Sequence, residues 1–235
     1  MNSGSNIQVV ERLLRGKAYV VIDSKLTLPF LRSDLLEFAQ QFGEISSRDG
    51  GDPIWAVKPR KNKGTFSETD GEARFHTDSQ YHADPERFFI LACERPACDG
   101  GETKVITASH AKQLAIEVLG EDAYLRLCAP VWSWEVPEVF CKTGLPKVCP
   151  KTSVFQSNGS IRWRIDNLIC DNDEDLALAH AFADALENSE YLDEMLLQPG
   201  QILIADNWYA MHARKHFTDP QRLYYRIRFN LSSTK

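Results

Sequence analysis

The sequence predicts an α+β domain, mainly β, in which a double-sheet jelly roll carries helices on its outside. Three observations predict it. Strand-like runs are numerous and lie far apart in the chain, and four segments read as helices. No repeat, low-complexity stretch or Pro/Ser linker divides the 235 residues, so 1–235 reads as one domain, long enough to bury a sizeable core. Strand spacing alone also fits another α+β arrangement.

In chain order, residues 6–15 place Ile7, Val10, Leu13 and Leu14 on one helical face, which Gly16 ends. Residues 18–23 read as a buried strand, 31–42 as a helix stopped by Gly43, and 54–58 as a strand. Residues 59–72 are rich in Lys, Gly, Thr, Ser and Asp, the composition of a mobile loop that could close as a lid. Strand-like runs follow at 88–93, 103–107, 131–136, 160–165, 202–205 and 222–230. Helices are expected over 109–119 and 173–187, the second with Leu176, Ala179, Ala183 and Leu186 as its apolar stripe.

Composition narrows the function. Hydrophobic residues make up 43% and charged residues 26%, as in ordinary globular proteins. A net charge of −6 gives no general pull toward nucleic acid or an anionic membrane, and the basic run Lys58-Pro-Arg-Lys-Asn-Lys63 reads as a solvated loop. No apolar run approaches the roughly 20 residues that span a bilayer. Residues 1–6 lack the pattern of a secretory signal. Six scattered cysteines form no C-x-x-C pair, and they are expected to be reduced thiols in a cytoplasmic protein. Oligomeric state is not readable.

The histidines carry the chemistry. Phe75-His-Thr-Asp78 sets an imidazole and a carboxylate two residues apart, on one face if the segment is a strand. Together they suit a borderline divalent ion such as Fe(II). The same pair also fits a surface polar pair or a hydrogen-bonded core histidine. The second half begins at Pro199-Gly200, runs through an apolar strand to Asp206-Asn207, and reaches His212 and Arg214. A ligand from this distant strand end would complete a two-His-one-carboxylate triad, with positions open for O2 and a cosubstrate. Otherwise His212 is a satisfied histidine beside a turn.

Four motifs occur in order: Phe75-His-Thr-Asp78, Gly100-Gly-Glu-Thr103, Asp206-Asn-x4-His212-Ala-Arg214-x2-Phe217 and Arg222-x3-Arg226. Together they resemble the taurine dioxygenase/clavaminate synthase superfamily of Fe(II)/2-oxoglutarate oxygenases, with a size and C-terminal pattern similar to carbapenem synthase. The resemblance runs from about residue 18 to 230. It implies a distorted, cupin-like double-stranded β-helix with flanking helices, and Fe(II) on His76, Asp78 and His212. It also implies that Thr103, 25 residues past Asp78, and Arg226, 14 past His212, hold the distal carboxylate of 2-oxoglutarate. Arg222 is then the second C-terminal arginine, near substrate or the keto-acid end. Independently of the family, a buried carboxylate needs the planar donor fork that Arg supplies better than Lys. Alternation puts Arg222, Tyr224, Arg226 and Arg228 on one strand face, which a half-solvated strand would also show.

The implied activity is hydroxylation of an unactivated C–H in a small polar metabolite, an amino acid or a natural-product intermediate. O2 and 2-oxoglutarate are consumed, and succinate and CO2 released. The alternatives are the same oxidising chemistry ending in desaturation, cyclisation, epimerisation or halogenation, and a non-catalytic metal-binding sensor. Ser79, Gln80 and Tyr81 are expected at the pocket mouth, with His82 near the metal or substrate. Trp208 reads as a packed aromatic and Arg162 and Arg164 as exposed. His110, His180 and His216 are expected to have no metal role.

Overall fold

The computed structural model describes residues 18–47, 51–60, 65–138 and 146–231. The expected helix at 6–15 lies outside them. The large sheet is built from β1 (Tyr19–Asp23), β2 (Glu44–Ile45), β3 (Trp55–Val57), β5 (Phe88–Arg95), β10 (Gln201–Asp206) and β12 (Leu223–Asn230). Its order is β1-β10-β5-β12-β2, with β3 also on β12. The small sheet runs β4 (Ala73–His76), β11 (Ala210–Arg214), β6 (Thr103–Thr107), β9 (Asp193–Met195). All these pairings are antiparallel and join distant segments, as the jelly roll requires.

The central strands are buried on both faces, and parity divides their side chains between two cores. Phe88, Ile90, Ala92, Ile202, Ile204, Ile227 and Phe229 face α1 (Arg32–Gln40) through Leu35, Phe38 and Ala39. Their neighbours Phe89, Leu91, Cys93, Leu203, Ala205 and Tyr224 face inward and meet Val105 and Ala210 of the small sheet. Removing a large apolar side chain from water contributes about 1.5–3 kcal/mol, so both faces drive folding. Outside the small sheet, Ile106, Met211 and Ala213 pack under α2 (Ala108–Leu114) and α4 (Asp173–Glu187).

Several elements depart from expectation. The helix expected over 109–119 is α2 followed by one π-type turn, Ala115–Leu119. After Gly120, at φ 95, α3 (Glu121–Cys128) starts separately. In α4 the buried stripe is Asp175, Ala179, Phe182, Ala183 and Leu186, and Leu176 is exposed. The shift follows from Asp175, whose carboxylate receives Arg126 while its N–H donates to the Asn172 cap at 2.7 Å. Within 131–136 β7 (Ser133–Trp134) forms, paired with β8 (Leu168–Ile169), and single bridges from Trp132 to Thr152 and from Glu135 to Val148 flank it. The strand expected over 160–165 reduces to two bridges, Phe155↔Ile161 and His76↔Arg164. Between them Arg162 turns away to bond the carbonyls of His82 and Ala83.

The described part of the expected mobile loop is fastened. Trp55 donates to Ser67 at 2.7 Å, the Phe217 N–H to Asp70 O at 3.1 Å, and Arg214 to Thr69 and Gly71. Polar composition could not reveal these partners, two of which, Arg214 and Phe217, lie far away in the chain.

Candidate metal centre

Strands β4 and β11 pair so that His76 and His212 are directly opposite, with ring centroids 4.2 Å apart. His212 is the middle residue of β11, flanked by Met211 and Ala213 on the outer face, and its ring packs at 4.6 Å on Phe89 of the large sheet. Strand parity thus turns one histidine of an apolar strand inward.

Asp78 arrives differently from the expected i, i+2 alternation. β4 ends at His76, and the chain turns through Ser79 at φ 57. The turn brings Asp78 beside both rings: one ligand atom from each of His76, Asp78 and His212 lies within 4.8 Å of the others.

These atoms fit a divalent cation. His76 Nδ1 is 2.8 Å from the Arg74 carbonyl, which makes it the donor and leaves the Nε2 lone pair available. Burial, then the neighbouring His212 and Arg164, hold the His76 pKa well below its ordinary value. Burial lowers His212 to about 4. Burial alone would raise Asp78, but Arg226 and Arg228 outweigh it and hold the carboxyl well below the usual range. Two neutral imidazoles and a carboxylate therefore stand together at neutral pH. Asp78 Oδ2 and His212 Nδ1 are buried without a hydrogen-bond partner, the condition a ligand relieves.

His76 and Asp78 open on a cavity of about 930 Å³, whose wall also includes Ser79, Tyr81, Arg164, Arg226 and Arg228, while His212 lies behind them. Thr65, Ser67 and Thr69 line it from the fastened loop, and Glu135, Glu138 and Asp166 bring acidic groups.

The two C-terminal arginines separate. Arg226 Nη1 donates to Asp78 Oδ1 at 2.8 Å. Arg222 is 2% exposed, lies 4.0 Å over the Tyr224 ring and 5.0 Å over Phe217, and leaves Nε and Nη1 without hydrogen-bond partners. Gly100 and Gly101 explain the glycine pair nearby. Both have positive φ; a Cβ at Gly100 would meet the His216 carbonyl at 2.4 Å, and one at Gly101 would sit 3.2 Å from Arg222 Nε. The pair lets the chain pass tightly beside Arg222 on its way to Thr103, which is buried on β6 opposite Arg214.

Other expected residues divide as follows. Arg164 lines the cavity with its side chain 16% exposed, so its expected exposure was incorrect: the His76↔Arg164 bridge draws it in. Tyr81 and Ser79 line the cavity; Gln80 turns to Asn167 at 2.9 Å. His82 is not among the lining residues, and its ring packs at 4.7 Å on Tyr81. Trp208 donates to Pro85 O at 3.0 Å, a packed aromatic. His110 stacks on Tyr191, and His180 and His216 are exposed.

The family described as "Taurine catabolism dioxygenase TauD, TfdA family" matches residues 2–111 and 123–228. The chain belongs to this family. Its members depend on Fe(II) and 2-oxoglutarate, the cofactors that the resemblance implied. Trimethyllysine dioxygenase of Meyerozyma guilliermondii is 25% identical over 180 residues, 72% of this chain and 45% of that protein. The chain thus spans under half the length of the curated relatives it matches. Among solved structures, an asparagine oxygenase in complex with Fe(II), 2S,3S-3-hydroxyasparagine and succinate superposes with TM-score 0.76 at 16% identity, covering 97% of this chain and 79% of that one. The non-heme iron oxygenase OrfP in complex with Fe and alpha-ketoglutaric acid gives 0.70 at 16%, with the same coverages. The likeness establishes the jelly-roll fold that the family shares.

Proposed function

We propose that this chain is an Fe(II)- and 2-oxoglutarate-dependent dioxygenase that hydroxylates an unactivated C–H of a small polar metabolite. The observation that carries the reading is the convergence of His76, Asp78 and His212 within 4.8 Å, with His76 and Asp78 on the wall of a large cavity. These three residues would hold the iron, leaving positions for O2 and the cosubstrate. Bound iron with 2-oxoglutarate and O2 supplies the oxidising power for C–H cleavage, with succinate and CO2 released. The chain's residues hold and orient. The Arg74 carbonyl fixes the His76 tautomer, and Arg226 braces one oxygen of Asp78.

For the distal carboxylate of 2-oxoglutarate we assign Arg222 the leading part, with Thr103 beside it and Arg226 kept as the brace of Asp78. A buried guanidinium with Nε and Nη1 unpaired supports this order over the one expected from sequence. Arginines and carboxylates on one cavity wall suit a zwitterion such as an amino acid. Asp78 supplies a third protein donor, which favours oxygen insertion over halide transfer.

A mass-spectrometric screen of amino acids and their derivatives with Fe(II), 2-oxoglutarate and ascorbate tests the reading. The expected product gains one oxygen, with succinate formed in step. A halogenated product in chloride would overturn the ligand set. Absence of any Fe(II)-dependent succinate would overturn the activity.

A further inference from the structure

Asn207 is 2% exposed, and its carboxamide serves the main chain of a distant loop. Its Oδ1 accepts the Asp78 N–H at 2.7 Å. Its Nδ2 donates to the Asp78 carbonyl at 3.0 Å and to the Glu86 carbonyl at 2.9 Å. One side chain therefore ties together both ends of the loop 78–86, which contains Ser79 in the left-handed region and contributes Asp78, Ser79 and Tyr81 to the cavity. The backbone adds to the seam: Asn207 N–H donates to Arg87 O at 2.6 Å, and Trp208 Nε1 to Pro85 O at 3.0 Å.

The residue type is specified by this task. One acceptor and two donors, in one plane on a short side chain, describe asparagine. Aspartate would set a carboxylate against two carbonyls, serine offers a single hydrogen, and glutamine is one methylene too long. The place in the chain matters equally. Asn207 follows β10 and stands five residues before His212, so it joins the segment that carries one histidine to the loop that carries the carboxylate. A turn through a left-handed serine persists when its surroundings over-determine it, and here Asn207 takes up both main-chain groups of Asp78.

We propose that Asn207 is a positioning residue that sets the Asp78 carboxylate relative to His76 and His212 and thereby sets metal affinity. This rests on reading the three as metal ligands. The test titrates apo protein with Co(II), following affinity by calorimetry and ligand geometry by the d–d absorption, beside urea unfolding. Asn207→Ala is expected to weaken Co(II) binding by about 10–100-fold and to alter the d–d spectrum, the range seen when an outer-shell partner of a metal ligand is lost. Asn207→Ser, which keeps one bond, should fall between it and wild type, and carries the comparison if the alanine variant does not fold. The control is Arg162→Ala, which loosens the same loop at His82 and Ala83 but does not touch Asp78. It should lose stability while keeping the wild-type spectrum and affinity. Wild-type Co(II) affinity and spectrum in the Asn207 variants would overturn the proposal. So would equal affinity losses in the Asn207 and Arg162 variants, since that is what a merely structural role produces. Failure of the wild-type protein to bind Co(II) would instead remove the metal reading, and the proposal with it.

Discussion

On the outer face of the large sheet, Phe88, Ile90, Ile202, Ile204, Ile227 and Phe229 are at most 1% exposed and pack beneath α1. On the inner face of the same strands, Leu91, Leu203 and Tyr224 give way to Arg226 and Arg228, beside two neutral histidines and a carboxylate, and buried Arg222 lies just before β12. The outer residues are satisfied by any well-packed apolar neighbour. Asp78 Oδ2, His212 Nδ1 and Arg222 Nε and Nη1, by contrast, are buried without a hydrogen-bond partner. On the proposed function, one sheet separates stability from binding by side-chain parity.

The sharpest break between the faces should come at the triad. His76→Ala, Asp78→Ala and His212→Ala are each expected to abolish succinate production while the apo protein still unfolds cooperatively in urea; Asp78→Ala should also lower the midpoint, because it leaves Arg226 without its buried carboxylate. Near-normal turnover in any of them would remove that residue from the ligand set.

Next in size is Arg222. Arg222→Met should raise the 2-oxoglutarate requirement by one to several orders of magnitude, since losing one partner of a buried pair costs about 3–5 kcal/mol. The apo melting temperature should hold or rise, because an unpaired buried cation is replaced by an apolar chain. Arg226→Ala should act mainly on metal binding through Asp78. If saturation curves ranked Arg226 above Arg222 for 2-oxoglutarate, the role would return to Arg226.

The outer face should behave oppositely. Ile204→Ala is expected to cost about 2–5 kcal/mol in urea unfolding and to leave Co(II) and 2-oxoglutarate affinities of the folded protein unchanged. A comparable loss of affinity would show that the faces are coupled.

The smallest effect is a pH slope. His212 titrates at about 4 in the fold against 6.5 ordinarily, and His76 is lowered too. Unfolded chains then bind more protons, so apo stability is full above pH 6.5 and declines as pH falls toward 4. The slope should be on the order of 1 kcal/mol per pH unit. His212→Ala should flatten it and Ile204→Ala should not; equal slopes in wild type and His212→Ala would contradict the assignment.

Much of this was legible beforehand. Period-two alternation identified β12 and its inward arginines, and the motif spacing singled out His76, Asp78 and His212. Less legible were elements whose partners are remote. Residues 160–165 alternate like a strand, yet Arg162 has two carbonyls to bond on another loop, and pairing stops. Asn207 stood within a recognised motif, but its neighbours in sequence carry no sign that its carboxamide would serve Asp78 and Glu86.

By itself, then, the sequence determined the alternation, the apolar faces, the turn residues and the chemical types available for a metal, because these depend on neighbours a few residues away. The tertiary structure alone decided that His76 faces His212 across two strands, that Asp78 reaches them through a turn, and that Arg226 meets Asp78 while Arg222 remains without a hydrogen-bond partner at Nε and Nη1. The physical reason is register. Which residues of β4, β11 and β12 stand opposite one another depends on how whole strands pack and pair, and a two-residue shift along β12 exchanges one arginine for another with almost no change in local pattern.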